Sequence, residues 1–129
     1  MHTALINAAA VGSGGFIGAL ARYGLGGFVH RHFSYTTFPI GTLTVNLVGC
    51  LFIGLLAGLV DARQFFGPEA RAFLLIGILG GFTTFSTFGF ETFALLRDGE
   101  YLRSAANILL NVVIGLALVW LGYTVTASR

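Results

Sequence analysis

Charged residues are scarce in this chain, and lysine is absent. Only 9% of the 129 residues are charged, whereas a soluble globular domain has about 25% charged residues. Seven basic and five acidic residues leave a formal net charge of +2, which comes from too few groups for a nucleic-acid-binding surface. A surface that faces water cannot be covered with this composition. The shortage excludes a soluble enzyme and a nucleic-acid-binding protein.

Cysteine is nearly absent as well. Cys50 is the one cysteine in the sequence, so neither an internal disulfide nor a cysteine zinc cluster can form. The Gly-Lys-Ser/Thr string of a phosphate-binding loop is also missing, since it requires a lysine. The sequence therefore does not predict an ATP-driven protein.

Hydrophobic residues, in contrast, make up 56% of the chain, and the mean hydropathy is +0.88. Four stretches contain no charged residue, namely 3–21, 32–60, 72–90 and 104–128. A transmembrane helix needs about 20 mostly apolar residues, and the continuous runs lack the alternation of barrel strands. We predict one all-α domain over 1–129, an integral multi-pass membrane protein. Its four transmembrane helices are expected at about 4–29, 39–60, 71–97 and 102–125.

The arginines are divided evenly between the two sides that four crossings define. Three lie on the side of the termini and the second loop and three on the other: Arg63, Arg71 and Arg129, against Arg31, Arg97 and Arg103. Orientation normally follows the Lys/Arg bias between short loops, and here that bias is missing. We predict insertion in both orientations and an antiparallel homodimer. A single orientation fixed by Arg22 or by a weak bias remains the alternative.

The third helix contains a segment that forms helix poorly. Gly80 and Gly81 are followed by Thr83 and Thr84 near the middle of the apolar run. Backbone left unpaired inside a membrane needs protein, ion or water partners, and the freed carbonyls of a broken helix are known to bind cations. Composition alone leaves a broken helix and a continuous, glycine-packed helix equally open.

Aromatic and hydroxyl side chains follow this segment directly. Phe85 and Phe88 are three residues apart and share a helix face, with Ser86 and Thr87 beside them. The edges of aromatic rings carry the positive part of the quadrupole. Two such edges are suited to a small, partly dehydrated anion, although most phenylalanines in an apolar chain only pack.

Uncharged polar residues occur on the neighbouring helices. Asn46 lies one turn after Thr42 on the second helix, and Asn107 and Asn111 are one turn apart on the fourth. An asparagine amide offers two donors without a charge, which suits the passage of an anion. Hydrogen bonds between helices are an equally good explanation for all three asparagines.

Two ionisable residues are expected in or near the membrane. Glu91 follows the phenylalanine segment, and Arg22 lies towards the end of the first helix. Residues of this kind at such depth are candidates for a functional role. We expect Glu91 to end the polar track or to pair with an arginine. We expect Arg22 to have a structural role, by snorkelling or by binding backbone carbonyls.

Three strings together resemble one known family. Gly80-Gly-Phe-Thr-Thr-Phe-Ser-Thr-Phe88 is the most specific, and Gly41-Thr-Leu-Thr-Val-Asn-Leu-Val-Gly49 and Gly18-Ala-Leu-Ala-Arg-Tyr23 accompany it. They resemble the Fluc fluoride channel family, also called CrcB, and the resemblance extends over the whole chain. It implies an antiparallel, dual-topology dimer in the plasma membrane that exports fluoride passively from the cytoplasm.

The resemblance also implies roles for single residues. Phe85, Phe88 and Asn46 match the pore-lining positions of the family, and Ser86, Thr87 and Glu91 fall on the accompanying polar track. Gly80 and Thr83 match the residues whose backbone carbonyls bind a structural sodium ion that is not transported. Asn107 and Asn111 stand where tyrosine and serine are expected, which puts their pore role in doubt.

Two other functions remain as alternatives. A small dual-topology multidrug or cation exporter has a similar size, but its mechanism relies on a carboxylate in the first helix, and this chain has none there. A structural membrane subunit without transport would leave the phenylalanines, hydroxyls and weak helix segment unexplained. The sequence therefore favours a fluoride channel.

Overall fold

The computed structural model describes residues 1–63 and 66–128. Arg129 and the side chain of Arg63, which both enter the arginine count, lie outside the described residues.

Helices make up nearly all of the described chain. Helix α1 comprises His2–His32 and α2 comprises Ile40–Arg63. The third apolar segment, Pro68–Arg97, is divided into α3 over 68–82 and α4 over Phe85–Arg97. Helix α5 comprises Tyr101–Ala127. Four segments of the described chain are long and apolar enough to cross a membrane, which confirms the predicted all-α, four-span architecture.

Proline and glycine set several helix ends. Pro39 directly precedes α2, and Pro68 is the first residue of α3, where the missing N–H costs no helical hydrogen bond. Gly99 connects α4 to α5 with a φ of 79°, a left-handed conformation that glycine adopts without strain. The helices begin and end within three residues of the ranges expected from hydropathy.

The third span is broken by two extended residues. Thr83 has φ −84° and ψ 156°, and Thr84 has φ −147° and ψ 123°. These angles lie in the β region, so the helical hydrogen-bond pattern stops between α3 and α4. The broken third helix, which composition alone left open and the family resemblance favoured, is confirmed.

Two stretches beside this break are wound more widely than an α-helix. Ala72–Leu79 in α3 and Leu110–Ile114 in α5 form π-helical turns. Such turns frequently occur at functional sites. Both reach the same cavity as the break, since Leu79 and Val112 line it together with Thr83.

Glycines allow the helices to pack as two close pairs. A Cβ added at Gly81 of α3 would lie 2.6 Å from the carbonyl oxygen of Gly15 in α1. A Cβ added at Gly122 of α5 would lie equally close, at 2.6 Å, to the carbonyl oxygen of Leu51 in α2. Small residues let membrane helices approach at this distance. The pairs α1–α3 and α2–α5 form the frame around the break.

Candidate functional site

Asn46 replaces the helical hydrogen bonds that the break removes. Its Oδ1 accepts from the Thr84 N–H at 3.0 Å, and its Nδ2 donates to the Thr84 carbonyl oxygen at 3.2 Å. One side chain of α2 thus pairs both backbone groups of an extended residue, as a neighbouring strand would. The break is therefore a defined structure held by α2.

α2 comes close to the break at a glycine. A Cβ added at Gly49, one turn after Asn46, would collide with the Cγ2 methyl group of Thr83. A larger residue at this position would push α2 away and separate the Asn46 amide from Thr84. The sequence string that ends at Gly49 therefore has a packing reason for its last glycine.

Thr84 also caps α4. Its Oγ1 accepts from the Thr87 N–H at 3.4 Å and donates to Thr87 Oγ1 at 3.2 Å, and Ser86 Oγ lies 3.5 Å away. A threonine at this position satisfies one of the free N–H groups at a helix start. Three hydroxyl groups therefore surround the first turn of α4.

The carbonyl oxygens of Gly80 and Thr83 lose their helical donors at the break. The Thr84 N–H, which would donate to Gly80 in a continuous helix, donates to Asn46 instead. The Thr87 N–H, which would donate to Thr83, donates to the side chain of Thr84. Two carbonyl oxygens are thereby released for another partner.

Phe85 and Phe88 lie beside a cavity of about 360 Å³. Their ring centroids are 5.6 Å apart with an interplanar angle of 54°, which matches the shared helix face expected from their spacing. Phe88 is 9% exposed, whereas Phe85 is 83% exposed. Asn46, Thr84 and Asn111 line the same cavity, so it joins aromatic rings to uncharged polar groups.

Arg22 lies on the other side of the break. Its Nε donates to the Gly81 carbonyl oxygen at 3.1 Å. It also lines a second cavity, of about 230 Å³, together with Thr42, Thr84 and Thr87. The arginine thus holds the end of α3 and supplies a positive charge close to three hydroxyl groups.

Glu91 lies one helical turn after Phe88 and faces α2. Its Oε1 accepts from Thr42 Oγ1 at 2.8 Å, while its Oε2 is buried without a partner in the described chain. Of the two alternatives expected for Glu91, pairing with an arginine does not occur among the described residues. The hydroxyl group of Thr42 binds the carboxylate instead.

The asparagines of α5 point into the bundle. Asn111 accepts from Asn46 Nδ2 at 3.0 Å, and its own Nδ2 donates to the Oδ1 of Asn107 at 3.1 Å. Asn107 is 1% exposed and donates to Thr92 Oγ1 in α4 at 2.9 Å. The interhelical bonds that the sequence left as an alternative are present at all three asparagines.

Sequence analysis placed Thr84 in the weak segment but missed its capping role, and it missed Thr92 entirely. A signal for Thr84 was available, since a threonine before a helix start is a common cap. Thr92 lies one turn after Phe88, and nothing in its spacing indicates that a buried asparagine of another helix binds it.

Comparison with known proteins identifies the family. The family model described as "CrcB-like protein, Camphor Resistance (CrcB)" matches residues 9–123, a range that includes every candidate site residue. The chain belongs to the CrcB family. The resemblance stated from the sequence strings is thereby confirmed.

Relatives of this CrcB chain carry the name of an ion channel. "Fluoride-specific ion channel FluC" of Methylobacillus flagellatus is 50% identical over 113 residues, covering 88% of each chain. "Fluoride-specific ion channel FluC 3" of Methanosarcina barkeri is 44% identical over 125 residues, which are 97% of this chain and 90% of the relative. FluC of Geobacter metallireducens is 50% identical over 108 residues, 84% of this chain and 86% of the relative. These names are those of channels and of no enzyme, in agreement with the expectation from composition.

Proposed function

We propose that this CrcB protein is a fluoride-specific ion channel of the plasma membrane that lets fluoride leave the cytoplasm passively. The observation that carries the proposal is the cavity at the break, where two phenylalanine rings meet the amides of Asn46 and Asn111 and the polar residue Thr84. Uncharged donors and ring edges attract a small anion without binding it as tightly as a full positive charge would.

A passive channel is sufficient for this task. Hydrogen fluoride crosses membranes as a neutral weak acid and dissociates in a neutral cytoplasm, so that the anion is trapped there. The membrane potential drives each negative charge outwards with about 2.3 kcal/mol per 100 mV. A selective path is all that the protein must supply.

Single residues take the following parts in the proposal. Phe85 and Phe88 present ring edges to the anion, and Asn46 presents the positive side of its amide group, whose two protons bind Thr84 and Asn111. Ser86, Thr87 and Glu91 belong to the polar track along α4, and Asn111 meets that track at Asn46. Asn107 is buried behind Asn111 and contributes through it.

An antiparallel homodimer completes this arrangement. The cavity of one subunit is only partly enclosed, and Phe85, which lines it, is 83% exposed. A second copy inserted in the opposite orientation would supply the missing wall, as inverted repeats do in transporters. The equal division of arginines between the two sides supports insertion in both orientations.

A structural sodium ion fits the break. The carbonyl oxygens of Gly80 and Thr83 have lost their helical donors, and oxygen ligands of this kind suit a hard cation. Two subunits would contribute two carbonyls each. The ion would hold the breaks together and take no part in transport.

Replacing sodium with potassium should therefore weaken the protein. A ligand that binds the folded state alone raises stability with its concentration, so the melting temperature of the purified dimer should rise with sodium and not with potassium. Fluoride flux should fall severalfold in sodium-free buffer. Equal melting temperatures and equal flux in the two salts would remove the ion site from the proposal.

Fluoride efflux from liposomes that contain only this protein tests the function itself. We expect a fast, fluoride-dependent efflux driven by a potential, with no efflux of chloride and no requirement for a proton gradient. A multidrug exporter would instead move organic cations against protons, and a structural subunit would move neither. Empty liposomes are the control, and efflux no faster than theirs would refute the proposal.

A further inference from the structure

The interior of the protein contains a continuous line of side-chain hydrogen bonds that crosses three helices. It comprises Asn46 of α2, Asn111 and Asn107 of α5, and Thr92 of α4, and we call it the amide ladder. The donor–acceptor distances are 3.0, 3.1 and 2.9 Å in that order, and Thr92 Oγ1 finally donates to the Phe88 carbonyl oxygen at 2.7 Å. The ladder thus joins the break at Thr84 to the helix that carries the phenylalanines.

Every member of the amide ladder is oriented by the one before it. Thr84 presents its N–H to Asn46 Oδ1 and its carbonyl to Nδ2, so rotating the Asn46 amide would set like groups against each other. Nδ2 of Asn46 therefore faces Asn111, which must offer its oxygen and turn its own Nδ2 to Asn107. Asn107 in turn must direct its Nδ2 at Thr92. All donors point the same way.

Aligned hydrogen bonds of this kind strengthen one another in a medium of low dielectric constant. Asn107 is 1% exposed and Thr92 is 7% exposed, so water does not compete for these groups. Both amide protons of Asn46 are engaged, one by Thr84 and one by Asn111. The hydrogen bond that engages the second Asn46 amide proton consequently depends, through Asn111 and Asn107, on a group as distant as Thr92.

We infer that Asn107, Asn111 and Thr92 are positioning residues, which hold the Asn46 amide and the extended backbone of Thr84 in the arrangement that an anion meets. This inference rests on the proposed channel function. It assigns to the α5 asparagines the task of orienting the Asn46 amide, a task that Asn111 performs while it also lines the cavity. Thr92, which no sequence motif singled out, is the last member of the amide ladder and anchors it to the Phe88 carbonyl oxygen.

Thr92 offers the sharpest test, because valine has the shape of threonine without its hydroxyl group. Thr92→Val leaves the Asn107 donor without an acceptor and ends the ladder, and Thr92→Ser keeps the hydroxyl. We expect flux per dimer to fall about tenfold in Thr92→Val, the effect of one lost buried hydrogen bond on a rate. Thr92→Ser should stay within about twofold of the unmodified protein, since a single retained hydroxyl preserves the bond.

Ser104 supplies a matched control. It is 1% exposed, lies on the same helix as Asn107, and its Oγ donates to the Thr92 carbonyl oxygen at 3.2 Å outside the ladder. Ser104→Ala removes a buried bond at the same place and should leave flux unchanged. An equal loss of flux in Ser104→Ala and Thr92→Val, or unchanged flux in Thr92→Val, would overturn the inference.

A spectroscopic measurement separates this inference from the channel function. The chain has four asparagines, at positions 7, 46, 107 and 111, so selective ¹⁵N-asparagine labelling gives only four side-chain amide signals. Thr92→Val should shift the signals of all three ladder asparagines, including Asn46, while Ser104→Ala should leave the Asn46 signal in place. If the unmodified protein conducts no fluoride, the channel proposal fails while these shifts still test the ladder. If it conducts and the Asn46 signal does not move in Thr92→Val, the ladder fails alone.

Discussion

Asn46→Asp should abolish fluoride flux. A carboxylate at this position would oppose a fluoride ion at about 4 Å with about 4 kcal/mol at the effective dielectric constant of a protein, which corresponds to about a thousandfold in rate. It would also set an oxygen against the Thr84 carbonyl and against Asn111 Oδ1, where the amide now donates. The charge repulsion and the loss of these hydrogen bonds both lower the flux.

Efflux from liposomes measures this change, and gel filtration checks that the assembly survives. Asn7→Asp is the matched control, since it makes the same exchange in α1, and Asn7 is absent from the residues that line the cavity. That variant should conduct like the unmodified protein. Near-normal flux in Asn46→Asp would remove this residue from the path of the anion.

Chains forced into one orientation should lose all protection against fluoride. Ala62→Lys with Ser128→Lys changes the balance of basic residues from three against three to five against three, on the side of the termini. Both residues are exposed at helix ends, so the fold should tolerate the exchange. Lys/Arg bias sets orientation, and copies of one orientation cannot form an antiparallel pair with each other.

Co-expression provides the decisive comparison. Ser34→Lys with Asp98→Lys places the same excess on the opposite side, at two exposed positions. Each variant alone should leave cells as sensitive as cells without the protein, and the two together should restore resistance. If one variant protects cells by itself while labelling shows a single orientation, the working assembly is not antiparallel.

The architecture could be predicted from the sequence because hydropathy decides it. Long uncharged runs have few alternatives in a membrane, and the four spans appear at the expected places. The break, which composition left open and the family resemblance favoured, occurs at the extended residues Thr83 and Thr84. The two glycines weaken the helix at this position. Asn46, which pairs the freed backbone groups of Thr84, stabilises the break.

That partner could not be deduced from composition or spacing. Asn46 and Thr84 are separated by 38 positions, and their contact depends on how closely α2 approaches α3. The same is true of Glu91, for which the end of the polar track and pairing with an arginine were the alternatives, and which binds Thr42. Periodicity tells which side chains share a face of one helix, but the pairing between helices follows from packing.

The exposed ring of Phe85 beside an open cavity has a consequence for gene dosage. In the proposed antiparallel dimer a single chain supplies only half of the pore wall, so the number of complete pores would follow mass action between chains of the two orientations. At low abundance the number of pores would rise with the product of the two populations, so halving expression would remove more than half of the pores. For a fixed total, that product is greatest when both populations are equal. An insertion signal without bias is then the arrangement that yields the most protection from the fewest copies.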